Sequence, residues 1–340
     1  MIWYGTTQGI RPAGEETVFA EWMNLGHIRH AAAGPDSVLW FANQDRTKPG
    51  LFRVEEEKVM TLTHHLPHPD MRSIETLRDG SLLVATMGGM ALVSPDGTSA
   101  EPWPGEAASS LGNRCFDVRQ DARGRIWVGT AKGVFFTDGT AWSHLDTRDD
   151  LSTDFVRQIA FGPEGSVWLG GSGGEVMRYR PQTRTPEAPQ VVVQADQEYT
   201  DLEALPEILV GERVSFRVGV VDYLTVPEKR QYRWQLYQGE RSDSELQQNW
   251  GDPTTEVVYE NNFEKAGDWV LAVQFIDRDL NYSPPTFAKM TVKLPWHANA
   301  AVMVPAGAGA AGLLLWAFIA RMMYVRKRTE ARKLREEMLA

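Results

Sequence analysis

The sequence predicts an all-β fold, in which a partial β-propeller is followed by an immunoglobulin-like β-sandwich and one membrane-spanning helix. Three observations support this: a repeat of about 40 residues in the first half of the chain, alternating apolar and polar residues in the second half, and an uncharged apolar segment near the C-terminus. We therefore expect four segments. They are residues 1–185 (propeller repeats), 186–296 (sandwich), 297–323 (transmembrane helix) and 324–340 (start of a cytoplasmic helix).

The repeat is a five-residue strand pattern around an anchor residue, which is tryptophan in four of the five copies. The copies are residues 2–6, 39–43, 82–86, 126–130 and 167–171, with anchors Trp3, Trp40, Leu83, Trp127 and Trp168. Successive anchors are 37, 43, 44 and 41 residues apart. A period near 40 with strand-like units is typical of a β-propeller with one four-stranded blade per repeat. Each anchor is expected to fill the space between adjacent blades, because one blade cannot bury its own faces.

Five anchors predict about five blades, whereas propellers close with roughly 4–8. The sequence opens directly on an anchor strand, and residues 1–30 lack the basic start, apolar core and cleavage site of an export signal. We therefore expect a larger ring that is truncated at its N-terminus in this chain.

Composition and charge limit the classes of function. Of the 340 residues, 42% are hydrophobic and 24% are charged, which is ordinary for a folded protein. The net charge of −10 argues against nucleic acid as a partner. The single cysteine, Cys115, excludes an intrachain disulfide, and no zinc-binding pattern occurs. We therefore expect no metal or other cofactor.

The charge is divided unevenly around the apolar segment. Residues from Arg321 onward carry seven Lys or Arg and three Glu, a net charge of +4, which leaves −14 for the first 320 residues. No residue between Lys293 and Arg321 bears a permanent charge, and residues 298–320 are long enough to cross a bilayer. Because basic clusters mark the cytoplasmic side of a membrane helix, residues 1–295 are expected to face outward.

The second half of the chain shows the period-2 alternation of β-strands. Apolar and polar residues alternate in residues 214–220, 232–236, 269–275 and 290–294. Short strands separated by turns predict a β-sandwich. Residues 186–200, with Pro186 and Pro189, are predicted to be the linker that leads into it.

Three arginines share one position of the repeat and are the candidate ligand-binding residues. Arg29, Arg72 and Arg157 each stand eleven residues before an anchor, and Phe116 takes this place in the remaining copy. Equivalent positions in successive blades form a circle, so these side chains are expected at one level around the central channel. Two interpretations stay open: ion pairs between blades, or a basic rim that binds an acidic ligand.

Three other motifs are assigned to structure rather than to chemistry. Residues 64–70 contain three histidines but also two prolines, so a loop is favoured over a metal site. Residues 277–281 lack the glycine and distal Glu of an EF-hand, which favours a hairpin turn over a calcium loop. Gly307, Gly309 and Gly312 spell GxGxxG inside the apolar segment, where no strand precedes them. Small residues there favour close approach of two membrane helices.

The repeats resemble the two-component regulator propeller repeat. In that pattern a D-x-x-G turn precedes (I/L)-W-(I/V)-G-T and a G-(L/V) turn, and residues 121–135 match it almost position for position. Residues 187–294 resemble the triple-tyrosine (Y_Y_Y) domain that follows such propellers, through residues 232–236, 249–250, 267–269 and 277–283. The chain departs from the pattern at the insertion 44–49, at Leu83, and at several replaced tyrosines.

The resemblance implies the periplasmic ligand-sensing portion of a bacterial membrane sensor, with a single pass through the inner membrane. In such proteins the helix leads to a cytoplasmic output domain, here expected beyond Ala340, which is usually a histidine kinase and often a hybrid one. The implied partners are a periplasmic ligand such as an oligosaccharide, a second copy in a homodimer, and a response regulator. Three alternatives stay open: a diguanylate cyclase output, a propeller lyase that uses a histidine and a metal, and an adhesion or scaffold protein.

Overall fold

The computed structural model describes residues 3–12, 25–34, 38–44, 50–55, 58–62, 66–104, 111–112, 114–298 and 300–338. In this part the chain forms small, predominantly antiparallel sheets, four 3-10 turns, a short α-helix and a long C-terminal α-helix. The mainly β fold class is therefore confirmed.

The first five sheets follow one another along the chain, and in each the strands are hydrogen-bonded in an unbroken sequential order. The first sheet is the hairpin of β1 (Trp3–Thr6) and β2 (Gly9–Pro12). The second contains β3 (Ile28–Ala33), β4 (Leu39–Asn43), β5 (Gly50–Glu55) and β6 (Lys58–Leu62). The third contains β7 (Met71–Thr76), β8 (Leu82–Thr86), β9 (Gly89–Val93) and β10 (Ala100–Trp103). The fourth contains β11 (Cys115–Gln120), β12 (Ile126–Thr130), β13 (Gly133–Thr137) and β14 (Trp142–Leu145), and the fifth contains β15 (Val156–Phe161), β16 (Val167–Gly171) and β17 (Val176–Tyr179).

Consecutive sheets pack face to face, with the first strands side by side. Strand β3 lies against β7, β7 against β11, and β11 against β15. A separate cluster of buried apolar side chains fills the space between each neighbouring pair of sheets. This is how faces that no single sheet can bury alone are removed from water.

Most of the described anchor side chains are buried between sheets, as the repeat predicts. Trp40 packs between the second and third sheets, Leu83 between the third and fourth, and Trp127 between the fourth and fifth. The side chain of Trp3 lies outside the described residues. For Trp168 the prediction is wrong, because this side chain is 40% exposed. Within the described part of the chain no sheet covers that face of the fifth sheet, where Val176 is also exposed.

Two further sheets form the predicted sandwich. One has the strand order β19-β18-β21-β23 and the other β20-β25-β24-β22. Their bounds are β18 (Gln190–Gln194), β19 (Glu198–Tyr199), β20 (Ile208–Leu209), β21 (Arg213–Gly219), β22 (Gln231–Gln238), β23 (Val258–Asn262), β24 (Gly267–Ile276) and β25 (Thr286–Lys293). Phe216, Tyr232, Trp234 and Phe275 lie in the shared core. The short helix α1 (Asp243–Gln248) follows β22.

The prediction of a linker over residues 186–200 is wrong from residue 190 onward. Residues 190–194 and 198–199 are strands β18 and β19, and β18 pairs with β21 in the sandwich. The reason is that Val191 and Val193 point into the sandwich core and are buried there. In the sequence, Pro186 and Pro189 favour a linker, and the apolar alternation that follows them is too short to indicate a strand.

The C-terminal helix α2 (Ala300–Glu337) begins directly after the sandwich. Only a 3-10 turn, Trp296–Ala298, and a few flanking residues separate it from β25. Among the described residues, one helix is long and apolar enough to cross a membrane, and it is α2. The predicted membrane segment and the predicted cytoplasmic segment are thus parts of one continuous helix.

Candidate functional site

The three candidate arginines occupy the same structural position, a β-bulge in the first strand of their sheet. The register of pairing with the second strand shifts across Arg29 in β3, across Arg72 in β7 and across Arg157 in β15. The same shift occurs at Phe116 in β11. A bulge places two residues opposite one and redirects the extra side chain. Because the bulge recurs at the same position, all four side chains leave their sheets in equivalent directions.

The structure brings Arg72 and Arg157 within electrostatic reach of Arg29. The pKa of the Arg29 guanidinium is lowered, first by burial, then by the positive charge of Arg72 and, less strongly, of Arg157. The carboxylate of Asp70 opposes this effect on the pKa of Arg29. We call Arg29, Arg72 and Arg157 the arginine rim.

Among the described residues, the contacts of the arginine rim include no ion pair between sheets. Nη2 of Arg72 lies 2.7 Å from Oδ2 of Asp70, which is two residues away in the same repeat. Nη1 of Arg29 donates to Gln44 at 3.3 Å, and the guanidinium of Arg157 lies 5.7 Å from the ring centroid of Phe116. Within the described ranges, Arg72 alone of the three has a carboxylate partner. Arg29 and Arg157 therefore present positive charge that no ion pair there neutralises.

An ion pair between neighbouring sheets does exist, but at a different repeat position. Arg119 of β11 lies 3.4 Å from Oε2 of Glu75 on β7, and its other terminal nitrogen donates to Nε2 of His30 on β3 at 2.8 Å. Burial, and next the charge of Arg119, lower the pKa of His30, which keeps the acceptor nitrogen unprotonated. Burial raises the pKa of Glu75. This network spans three sheets.

A buried carboxylate continues the network to the fifth sheet. Asp117 accepts hydrogen bonds from the hydroxyl of Ser73 at 2.6 Å and from the backbone N–H of Ile159 at 2.8 Å. Ser73, Asp117 and Ile159 belong to three successive sheets, so this carboxylate ties their first strands together. Sequence reasoning missed it. The available signal was the position ten residues before the anchor, which is polar in each of the last four copies.

The histidine, acidic and glycine motifs lie at residues 64–70, 277–281 and 307–312. His64 and His65 lie outside the described residues, and Nδ1 of His68 accepts from the backbone N–H of Asp70 at 3.0 Å. Residues 277–281 form a turn in which Asp277 accepts from the backbone N–H of Asn281 at 2.8 Å. The GxGxxG glycines lie inside α2. Across the described residues, no group of three or more His, Cys, Asp or Glu side chains is placed to hold a metal ion.

A second candidate region is the contact between the fourth sheet and the sandwich. Nζ of Lys229, in the sandwich, lies 3.0 Å from Oδ2 of Asp146 and also pairs with Asp149. Burial works to raise the pKa of Asp146, but hydrogen bonds from Arg148 and Lys229 outweigh it and hold that pKa well below its usual value. Arg278 approaches the same Asp149 at 3.8 Å. We call this contact, formed by residues 138–149 with residues 225–233 and 277–283, the joint.

Aromatic and apolar groups close the joint around these charges. The Tyr282 hydroxyl donates to Oδ2 of Asp138 at 2.7 Å. The guanidinium of Arg233 lies between two rings, 4.8 Å from the centroid of Trp250 and 4.7 Å from that of Tyr282. Leu280 packs in the same apolar cluster as Trp127 of the fourth sheet. Several residues on which the resemblance to the triple-tyrosine domain rests therefore lie in the joint.

Comparison with known proteins gives distant similarity only. No protein-family model matches this sequence, and no curated protein matches it. Among solved structures, an extracellular domain described as that of a hybrid two-component system from B. thetaiotaomicron has a TM-score of 0.42 at 14% identity, covering 86% of this chain and 48% of that one. The extracellular domain described as that of a one-component system from the same organism has a TM-score of 0.38 at 16% identity, covering 86% and 43%.

A structure of another kind is also similar. A catalytically inactive virginiamycin B lyase from Staphylococcus aureus has a TM-score of 0.34 at 12% identity, covering 78% of this chain and 81% of that one. The chain spans about half the length of the two extracellular domains.

Proposed function

We propose that this chain is the periplasmic ligand-sensing portion of a membrane-bound two-component sensor. The five N-terminal sheets are blades of a β-propeller with a larger natural ring, and the sandwich is a Y_Y_Y-like domain over residues 186–296. The chain forms a homodimer in the bacterial inner membrane. It passes a binding signal through α2 to a cytoplasmic output domain beyond Ala340, a histidine kinase that acts on a response regulator.

One observation carries this proposal: the β-sheet body and the helix are mechanically continuous. The joint ties the sandwich to the fourth sheet through buried charges and packed rings. At the other end of the sandwich, β25 leads through a single 3-10 turn into α2. Because the described connection between β25 and α2 is this short, a displacement at the propeller is passed on to the helix. The basic residues after Arg321 support a cytoplasmic position for the end of that helix.

The proposed ligand site is the arginine rim, and the proposed ligand is an acidic oligosaccharide. Guanidinium groups hold carboxylates and sulfates through paired, charge-assisted hydrogen bonds and stay charged at all physiological pH values. The charge of −14 over the first 320 residues repels acidic ligands elsewhere, which makes a local basic rim selective.

We expect the triple variant Arg29→Gln, Arg72→Gln, Arg157→Gln to lose binding of oligogalacturonate, because the charge that attracts the uronates is gone. Binding is measured by calorimetry on the full chain in detergent micelles. The matched control is Arg184→Gln, Arg213→Gln, Arg217→Gln, which makes the same charge change at exposed positions. A large fall in melting temperature with unchanged binding would show that the rim is structural. Equal losses in both triple variants would show a non-specific charge effect.

We also expect ligand binding to move the cytoplasmic end of α2. Cys115 is buried, and burial raises the pKa of its thiol to about 12, so a spin label reacts selectively with a cysteine placed by Met338→Cys. In lipid nanodiscs, saturating oligogalacturonate should shift the label-to-label distance in the dimer by about 1–5 Å, the range of helix shifts in switching proteins. An unchanged distance with bound ligand would contradict signal transmission through the helix.

A further inference from the structure

A pocket of about 550 Å³ lies beside the joint, between the fourth sheet and the sandwich. One wall comes from the fourth sheet and includes Lys132, Phe135 and Trp142. The other wall comes from the sandwich and includes Glu228 and Thr255. The volume falls within the range of about 300–1,000 Å³ that is usual for small-molecule sites.

The aromatic part of the pocket is held rigid by packing behind it. The half-buried ring of Trp142 lies against Trp103, with centroids 5.3 Å apart. Phe135 is stacked on His144 at 4.0 Å, with an angle of 6° between the rings. His144 is fixed in turn, because its Nε2 lies 2.6 Å from the carbonyl oxygen of Lys132. Such preset apolar surface suits a ligand with a flat, rigid face.

The polar part of the pocket has hydrogen-bonding capacity that the protein leaves unused. Within the described residues, the Lys132 ammonium, the Glu228 carboxylate and the Thr255 hydroxyl form no side-chain hydrogen bond or ion pair. By contrast, Lys229 on the same wall is committed to Asp146 and Asp149. The free groups comprise one cation, one anion and one neutral hydroxyl, so they supply donors and acceptors without a net charge.

We infer that this pocket binds an uncharged polyhydroxylated ring, the chemistry of a neutral sugar unit. The apolar face of the ring stacks on Trp142, and its hydroxyl groups bond to Lys132, Glu228 and Thr255. A charged ligand meets one like charge and one opposite charge in the pocket, so its own charge adds little to the affinity. The site is distinct from the arginine rim, and its ligand class is different.

Occupancy of this pocket acts on the joint itself. The two walls belong to separate parts of the protein, and Lys229 lines the pocket while it bridges to the fourth sheet. Gln231, from the sandwich, also reaches across and donates to the backbone oxygen of Trp142 at 2.6 Å. A bound sugar therefore adds contacts on both sides and holds the present angle between sheet and sandwich.

The test uses methyl glycosides of glucose, galactose, mannose and xylose, with glucuronate and glucosamine as charged probes. Binding is measured by calorimetry on the full chain in lipid nanodiscs. We expect at least one neutral glycoside to bind, and Thr255→Trp to weaken its affinity at least tenfold by filling the pocket. Thr255 is exposed, so the larger side chain disturbs no core. The matched control Thr185→Trp, also at an exposed position, should change the affinity less than twofold.

Two further variants separate this inference from the proposed function. Glu228→Gln and Lys132→Gln should each weaken glycoside binding several-fold, because each removes one charged hydrogen-bonding group. The triple arginine variant should leave the affinity for the glycoside unchanged, so this site and the arginine rim are tested independently. Absence of binding by all four glycosides, tighter binding of a charged probe by the triple arginine variant, or indifference to Thr255→Trp would overturn the inference.

Discussion

We expect Trp127→Ala to lower the free energy of unfolding by about 3–5 kcal/mol, the usual cost of deleting a large buried side chain. Trp127 is fully buried between the fourth and fifth sheets, and its ring is stacked on Phe136 with centroids 4.1 Å apart. Its Nε1–H donates to Oδ2 of Asp121 at 3.1 Å. The substitution thus leaves a cavity and removes a hydrogen bond. Urea unfolding of the full chain, followed by circular dichroism, measures the change.

The structure supplies a matched control at the same position of the repeat. Trp168 is 40% exposed, and Arg178 lies 5.5 Å from its ring centroid. Trp168→Ala removes an identical side chain but creates no closed cavity, so we expect a loss of about 1 kcal/mol or less. Equal losses for the two variants would mean that another part of the protein covers the fifth sheet.

The contrast between these two tryptophans marks what sequence can predict. The five-residue pattern predicts the second strand of the second to fifth sheets correctly, because strand formation follows from local alternation and turns. Burial of the anchor is a different property, since it depends on which surface packs against the sheet. The same motif therefore gives a buried Trp127 and a half-exposed Trp168.

The candidate site divides in the same way. Arg29, Arg72 and Arg157 recur at one repeat position, so their proximity could be predicted from spacing alone. The bulge that aims them could not, because it is a property of strand pairing. The contacts of the joint could not be predicted from the sequence either. Lys229 and Asp149 are 80 residues apart, and no pattern in a single sequence links two such positions.

We expect Lys229→Met to destabilise the protein by about 3–5 kcal/mol, the usual cost of breaking a buried ion pair by removing one partner. Lys229 neutralises two carboxylates, Asp146 and Asp149, and the Asp149 side chain is fully buried. Methionine keeps the length of the side chain but not its charge, so both carboxylates lose their shared cation. Urea unfolding at pH 7 measures the loss.

An exposed lysine of the sandwich provides the control. Lys293 pairs with Glu207, and both side chains are more than half exposed. Lys293→Met removes the same charge from a solvated pair, which typically contributes about 0–1 kcal/mol. A comparable loss in the two variants would show that general charge, rather than the joint, determines the effect.

The pH dependence of this loss identifies its cause. The pKa of Asp146 is held well below its usual value because hydrogen bonds from Arg148 and Lys229 outweigh the opposing effect of burial. A carboxyl group whose pKa is lower in the folded state stabilises the fold above its unfolded pKa of about 4, and this contribution is lost as the pH falls through the folded pKa.

In Lys229→Met the pKa of Asp146 moves back toward its ordinary value, so part of that contribution is already missing at pH 7. The difference in unfolding free energy between wild type and variant should therefore be the same at pH 7 and pH 5, and smaller at pH 3. Adding Asp149→Asn to Lys229→Met should recover part of the loss, because it removes the buried charge that has no partner. A difference that is independent of pH, with no recovery in the double variant, would mean that Lys229 acts through the packing of its methylene chain and that the joint is held by contacts other than this ion pair.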